Sequence, residues 1–265
     1  MALTDRTTLV TYTGANLGSL HAAVSKDAGK TWKTSVIVEG GALYDMASLC
    51  QSKGGSRAYI AHLSGTMADP ITVTLRHSDD GGLTWPADGA VTVTDPASGA
   101  AAFAAPNCVV DGNDVWVSYG LTNELVDFGF LTVQQIASIQ VAHSSDGGKT
   151  FEARYDAHDA SAGAAFLSPT MVREESGALD LTYIAGKDNG DAAAMVRRSR
   201  STDGGKTWCG SVVVHAPITF DTALTHLTSL SRHHGLAYHD GALYLTYPDN
   251  ATDFSHVGFE RLSIP

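Results

Sequence analysis

SKDAGKTW (25–32), SDDGGLTW (78–85), SSDGGKTF (144–151) and STDGGKTW (201–208) are four copies of one pattern, S-x-D-x-G-x-T closed by an aromatic ring. The repeated positions are Ser25, Ser78, Ser144 and Ser201, then Asp27, Asp80, Asp146 and Asp203, then Gly29, Gly82, Gly148 and Gly205. The closing rings are Trp32, Trp85, Phe151 and Trp208. Successive aspartates stand 53, 66 and 57 residues apart, a spacing that marks a repeat architecture. The chemistry of each copy is that of a hairpin turn. Ser and Asp side chains accept hydrogen bonds from backbone N–H groups that a turn leaves unpaired. Glycine tolerates the positive φ that such turns need. The aromatic ring then folds back over the turn. These sixteen positions are read as structural.

A second repeat is quieter. Short alternating strands, TLVTYT, AYIAHL, VWVSYG, LDLTYI and LYLTYP, end at Tyr12, His62, Tyr119, Tyr183 and Tyr247. Full periods hold four strands, as in DMASLCQS, RAYIAHL, ITVTLRHSD and GAVTVTD of the second copy. The first copy lacks its opening strand and the last lacks its closing one. Four-stranded antiparallel units at this spacing predict an all-β chain, one β-propeller of five blades spanning 1–265 as a single domain. The segment ELVDFGFLTVQQI (124–136) is read as room for a helical turn inside a loop.

Composition narrows the function classes. With 43% hydrophobic and 17% charged residues the chain can bury a core. Seventeen basic against 28 acidic residues give a net charge of −11, which repels phosphate and argues against nucleic acid or anionic membranes. Three cysteines predict no disulfide framework. Cys50 and Cys108 occupy equivalent first-strand positions and read as small buried fillers; Cys209 follows a turn tryptophan. Neither a calcium loop nor a phosphate loop fits the glycine-rich turns. No cofactor and no metal are expected. MALTDRTTLV has no apolar signal-peptide core and no stretch is long enough to span a membrane. The compartment stays open, an extracellular or virion-borne setting included.

The four turns resemble the Asp-box, or BNR repeat, of sialidases and related propeller proteins. The resemblance implies architecture before activity, because the box lies away from the active site in that family. It also implies an arginine triad for the sialic-acid carboxylate, an acid/base aspartate and a tyrosine–glutamate pair. This chain departs from that kit. The early Arg-Ile-Pro or Arg-Leu-Pro motif is missing; the only early arginine is Arg6. In LSPTMVREESGALDLTYI, Leu167 or Ser168 falls at the family's glutamate and Tyr183 or Ile184 at its arginine.

Loop lengths point to one end of the sheets. Connections between first and second strands are short, as are the box turns; the others are long and polar. Long loops on a rigid scaffold carry binding. The candidate ligand residues on that face are Tyr44, Asp45, His62, Asn123, Asp127, Asp159, Asp188, Arg232, His233, His234 and Asp249. Rings with Asp, Asn, His and Arg partners suit sugar hydroxyls, so a glycan or glycoconjugate is the expected partner. The missing sialidase kit favours a non-catalytic glycan-binding or adhesion module. Two alternatives stand beside it: a sialidase-like or other glycan-processing enzyme, and an assembly component docking a protein through its end-blade edges.

Overall fold

The computed structural model describes residues 7–14, 18–39, 47–51, 57–65, 71–95, 100–101, 106–127, 132–151, 153–187, 194–215, 235–249 and 256–262. These residues form five antiparallel sheets. The first holds β1 (Thr8–Thr13), β2 (Ser19–Ser25) and β3 (Lys33–Glu39); the second holds β4 (Ala47–Gln51), β5 (Ala58–Ser64), β6 (Thr72–Ser78) and β7 (Val91–Thr92). The third combines β8 (Ala100–Ala101), β9 (Asn107–Asp111), β10 (Asp114–Asp127), β11 (Thr132–Ser144) and β12 (Ala153–Asp156). The fourth is β13 (Ala165–Arg173), β14 (Leu179–Gly186), β15 (Met195–Ser201) and β16 (Val212–His215). The fifth is β17 (Gly235–His239), β18 (Ala242–Asp249) and β19 (His256–Leu262). Among the described residues, sheets one and five have three strands, matching the incomplete first and last copies of the repeat.

The chain divides into two compact units. One comprises residues 1–101, 105–117 and 142–153; the other comprises 102–104, 118–141 and 154–265. In the first unit, Leu9, Leu20, Ala22, Val24, Ile37, Ala58, Ile60 and Trp85 form a buried cluster. In the second, Ile136, Leu167, Ile184, Ala194, Val196 and Leu245 do the same. Each fully buried aliphatic or aromatic side chain in such a cluster stabilises the fold by roughly 1.5–3 kcal/mol.

The four S-x-D-x-G-x-T turns connect β2–β3, β6–β7, β11–β12 and β15–β16, and their bonding repeats. The serine Oγ donates to the aspartate Oδ1 at 2.8, 2.7, 2.7 and 2.8 Å. The glycine N–H donates to the serine Oγ at 2.8 to 2.9 Å. The threonine donates through its N–H to Oδ1 and through its hydroxyl to Oδ2. Three indole N–H groups close on the glycine carbonyl of their own turn. Hydroxyl and amide donors favour the ionised carboxylate, so Asp27 is lowered to about 2, with the Thr31 hydroxyl the chief cause. Asp146 and Asp203 are lowered further, led by Thr150 and Thr207.

The second and third turns rest on the preceding sheet. A Cβ on Gly82 would come 2.7 Å from Leu9, and one on Gly148 would come 2.7 Å from Leu75. Only glycine fits both the contact and the positive φ of +94° and +80°.

Three sequence expectations are corrected. Cys50 and Cys108 are a disulfide joining β4 to β9, with Cα atoms 5.7 Å apart. Equivalent positions on successive first strands lie side by side, so the equivalence that suggested fillers also made them neighbours. Residues 124–127 and 132–136 extend the paired strands β10 and β11 instead of holding a helical turn. The run Arg197-Arg198-Ser199-Arg200, which leads into the last of the four turns, reads in the sequence as a solvated strand face; in the structure Arg198 is buried and, like Arg200, ion-paired.

Candidate functional site

Most of the predicted ligand positions fall where the structure gives little or nothing. Tyr44, Asp45, Asp188, Arg232, His233 and His234 lie outside the described residues. Asn123 and Asp127 sit near the end of β10, and Asp249 ends β18, paired in register with His256. His62 and Asp159 are the two whose side chains are defined.

His62 is fully buried on β5. Its Nδ1 lies 2.8 Å from the Leu63 carbonyl, which makes that nitrogen the donor. Burial, reinforced by the Arg76 charge, lowers its pKa to about 4 despite that bond, so the ring is neutral at pH 7. Asp159 caps the short 3-10 turn at 160–162. Its Oδ1 accepts from the Ser161 N–H and hydroxyl, and its Oδ2 from the Ser211 hydroxyl at 3.0 Å. Its own N–H donates to Tyr183 Oη at 2.9 Å. Ser161 and Ser211 together lower its pKa to about 2, a permanent anion spent on tying a loop to the fourth sheet.

Within the second unit, a cluster forms where β16 and β18 reach the end of their sheets away from the box turn. His215, the last residue of β16, stacks on Tyr247 with ring centroids 3.8 Å apart. Its Nδ1 lies 3.6 Å from Glu260 Oε2 on β19. Tyr247 pairs in register with Gly258. A Cβ on Gly258 would collide with the Tyr247 ring, so glycine makes room for it. Asp249 and His256 stand one alternating step farther along the same two strands. In sequence, His215 is followed by residues 216–234, which include Arg232, His233 and His234 and lie outside the described residues. Stacked rings beside a half-exposed carboxylate and an imidazole can hold a sugar ring and move a proton. Sequence reasoning placed Tyr247 at a repeated strand end but passed over His215 and Glu260. Their only signal was position in the sequence, one at the head of the stretch 216–234 and the other in the strand that has no S-x-D-x-G-x-T turn after it.

At the box-turn end of the fourth sheet lies a second group of titratable residues, all buried or nearly so. Arg198 Nε donates to Asp180 Oδ1 at 2.6 Å, and Arg200 Nη2 to Glu174 Oε2 at 2.7 Å. The Ser176 hydroxyl also bonds Glu174, at 2.8 Å. Burial and a hydrogen bond to Glu174 push Asp180 up to about 6, outweighing Arg198. Burial works against the Glu174 anion too, but the bonds from Asp180 and Ser176 and the charges of Arg200 and Arg198 outweigh it and lower its pKa. Below about pH 6 the proton held by Asp180 is shared with Glu174. With Asp180 wholly inaccessible, the group holds strands together and meets no substrate.

No protein-family model matches the sequence, and no curated protein matches it. Solved structures do. An endo-arabinase from Bacteroides thetaiotaomicron VPI-5482 superposes with a TM-score of 0.59 at 14% identity, covering 98% of this chain and 90% of that one. CoXyl43, a β-xylosidase/α-arabinofuranosidase from a compost microbial metagenome, gives 0.57 at 13% identity over 99% and 89%. A leech intramolecular trans-sialidase gives 0.57 at 11% identity over 99% and 67%. The chain therefore has the fold shared by these glycan-acting proteins, sialidases included.

Proposed function

We propose that this chain is a glycan-processing enzyme, a glycoside hydrolase acting on a neutral, pentose-containing polysaccharide. The observation that carries the reading is the Tyr247–His215 ring pair with the Glu260 carboxylate beside it. Hydrolysis of a glycosidic bond needs two carboxyl groups, one giving a proton and one acting as base or nucleophile. Glu260 is one candidate; Asp127, Asp188 and Asp249, of the same unit, supply the others. Asn123, Arg232, His233 and His234 are assigned to the sugar hydroxyls.

Fold likeness to an endo-arabinase and a xylosidase supports the catalytic reading over the binding-only module that the missing sialidase motifs favoured. Those motifs serve a carboxylate-bearing sugar. A neutral pentose has no carboxylate and requires no arginine triad, so their absence weighs against sialic acid alone. The scaffold in this reading is a single Asp-box propeller of five blades, the box turns serving as structure. The Cys50–Cys108 disulfide supports an oxidising compartment, where extracellular polysaccharide is met.

The test is release of reducing ends from arabinan and xylan by the purified full chain. Turnover abolished in Glu260→Gln or Asp249→Asn, with an unchanged melting temperature, supports the proposal. No release from either polymer, with binding retained, returns the case to a non-catalytic module. A chromogenic sialoside should stay intact.

A further inference from the structure

The four turns act as one another's controls. Whatever a turn needs recurs in all four, and whatever occurs once serves something else. Lys26 and Lys33 occur once: the matching positions are Asp79, Ser145 and Thr202 for the first, and Pro86, Glu152 and Cys209 for the second. The closing ring differs as well. Trp85 and Phe151 are buried at 7% and 8% exposure and Trp208 is partly buried, whereas Trp32 is 45% exposed. Its indole N–H is bonded to the Gly29 carbonyl at 3.0 Å, which holds the ring in place without covering it.

Trp32, Lys26, Lys33 and Thr31 line an open groove of about 360 Å³, floored by Val24 and Leu83. A third lysine, Lys30, stands exposed in the same turn. The one carboxylate of the turn, Asp27, is taken up by Ser25 and Thr31. On a chain of net charge −11 this is a local cationic surface around a fixed aromatic face.

We propose that this groove binds an acidic oligosaccharide, one sugar ring stacking on Trp32 while Lys26 and Lys33 meet its carboxylates. The aromatic face supplies the apolar contact a sugar ring's C–H face seeks, and the lysines select for negative charge. Neutral glycans gain only the first term. The groove is built only from residues of the first unit and shares none with the Tyr247–His215–Glu260 cluster, so its binding is read independently of any hydrolysis.

The experiment is titration of the full chain with short oligogalacturonides, followed by tryptophan fluorescence and calorimetry, with neutral arabino-oligosaccharides of equal length in parallel. Oligogalacturonide binding should weaken by about tenfold or more in the Lys26→Gln/Lys33→Gln double variant. It should also weaken as salt rises, since exposed charges are screened. Trp32→Ala should abolish it; Trp32→Phe, which keeps a ring, should retain part of it and guards against loss of fold. Equal affinity for the neutral oligomer, or binding unchanged in the lysine or Trp32→Ala variants, overturns the proposal. Because no turnover is read, failure of the hydrolase reading leaves this result untouched.

Discussion

The Tyr59 hydroxyl donates a hydrogen bond to the Gly147 carbonyl at 3.3 Å, joining residues 88 apart in the chain. The third box turn is thereby seated on the second strand of the second sheet. Leu9 plays the corresponding part for the second turn, at the matching position three residues before the strand-end ring. In the fourth sheet that position is Asp180, and the buried charge group takes the place of an apolar seat.

Gly148→Ala and Gly204→Ala separate two costs. Both glycines have positive φ, +80° and +75°, but only Gly148 is crowded. Gly204→Ala should cost about 1–2 kcal/mol for left-handed backbone. Gly148→Ala should add roughly 1–3 kcal/mol for the collision with Leu75. Urea unfolding of the two variants checks the order; equal midpoints would mean that the turn does not press on the sheet.

The Cys50–Cys108 bond closes a 58-residue separation. Loop-closure entropy puts its contribution at about 4 kcal/mol. Reduction, or Cys50→Ala, should lower the unfolding free energy by that order. Cys209 is the free and exposed thiol, so a thiol reagent should label one site on the native chain and three after reduction and unfolding.

Asp180 and the turn aspartates predict opposite pH slopes. A carboxyl raised to about 6 keeps its proton in the folded chain while the unfolded chain loses it near 3.8, so stability falls between those values as pH rises. Asp27 and Asp159, lowered to about 2, stabilise above 3.8, and that contribution fades as pH drops toward 2. Asp180→Asn should remove the first slope and leave the second. Thermal melts from pH 2 to 7 read both; an unchanged slope between 4 and 6 would deny Asp180 its proton.

Gly258→Ala should act on turnover as Tyr247→Ala does. The added methyl would occupy the space of the Tyr247 ring and displace it from His215. A misplaced platform costs at least about tenfold in rate. Arabinan hydrolysis by both variants is the measurement; full activity in Gly258→Ala would remove the ring from the site.

Local chemistry made the repeats legible. Ser25, Asp27, Gly29, Thr31 and Trp32, with their three counterparts, bond almost wholly within eight residues, so the pattern carries its own turn wherever it sits. Strand alternation is likewise local, and it revealed the five sheets and the short outer ones. What remained hidden is what distance in the chain brings together. Cys50 meets Cys108, Arg198 meets Asp180, and His215 meets Tyr247 and Glu260 only because sheets and strands pack side by side. Repeat equivalence aligned Cys50 with Cys108 without saying that they bond, and no spacing rule links the other positions. The same packing decided that Arg198 is a buried partner and not a solvated one, and that Trp32 stays open while Trp85 closes. Sequence determined which turns and strands form; tertiary contact determined which side chains share a site, because that depends on neighbours the chain does not place next to each other.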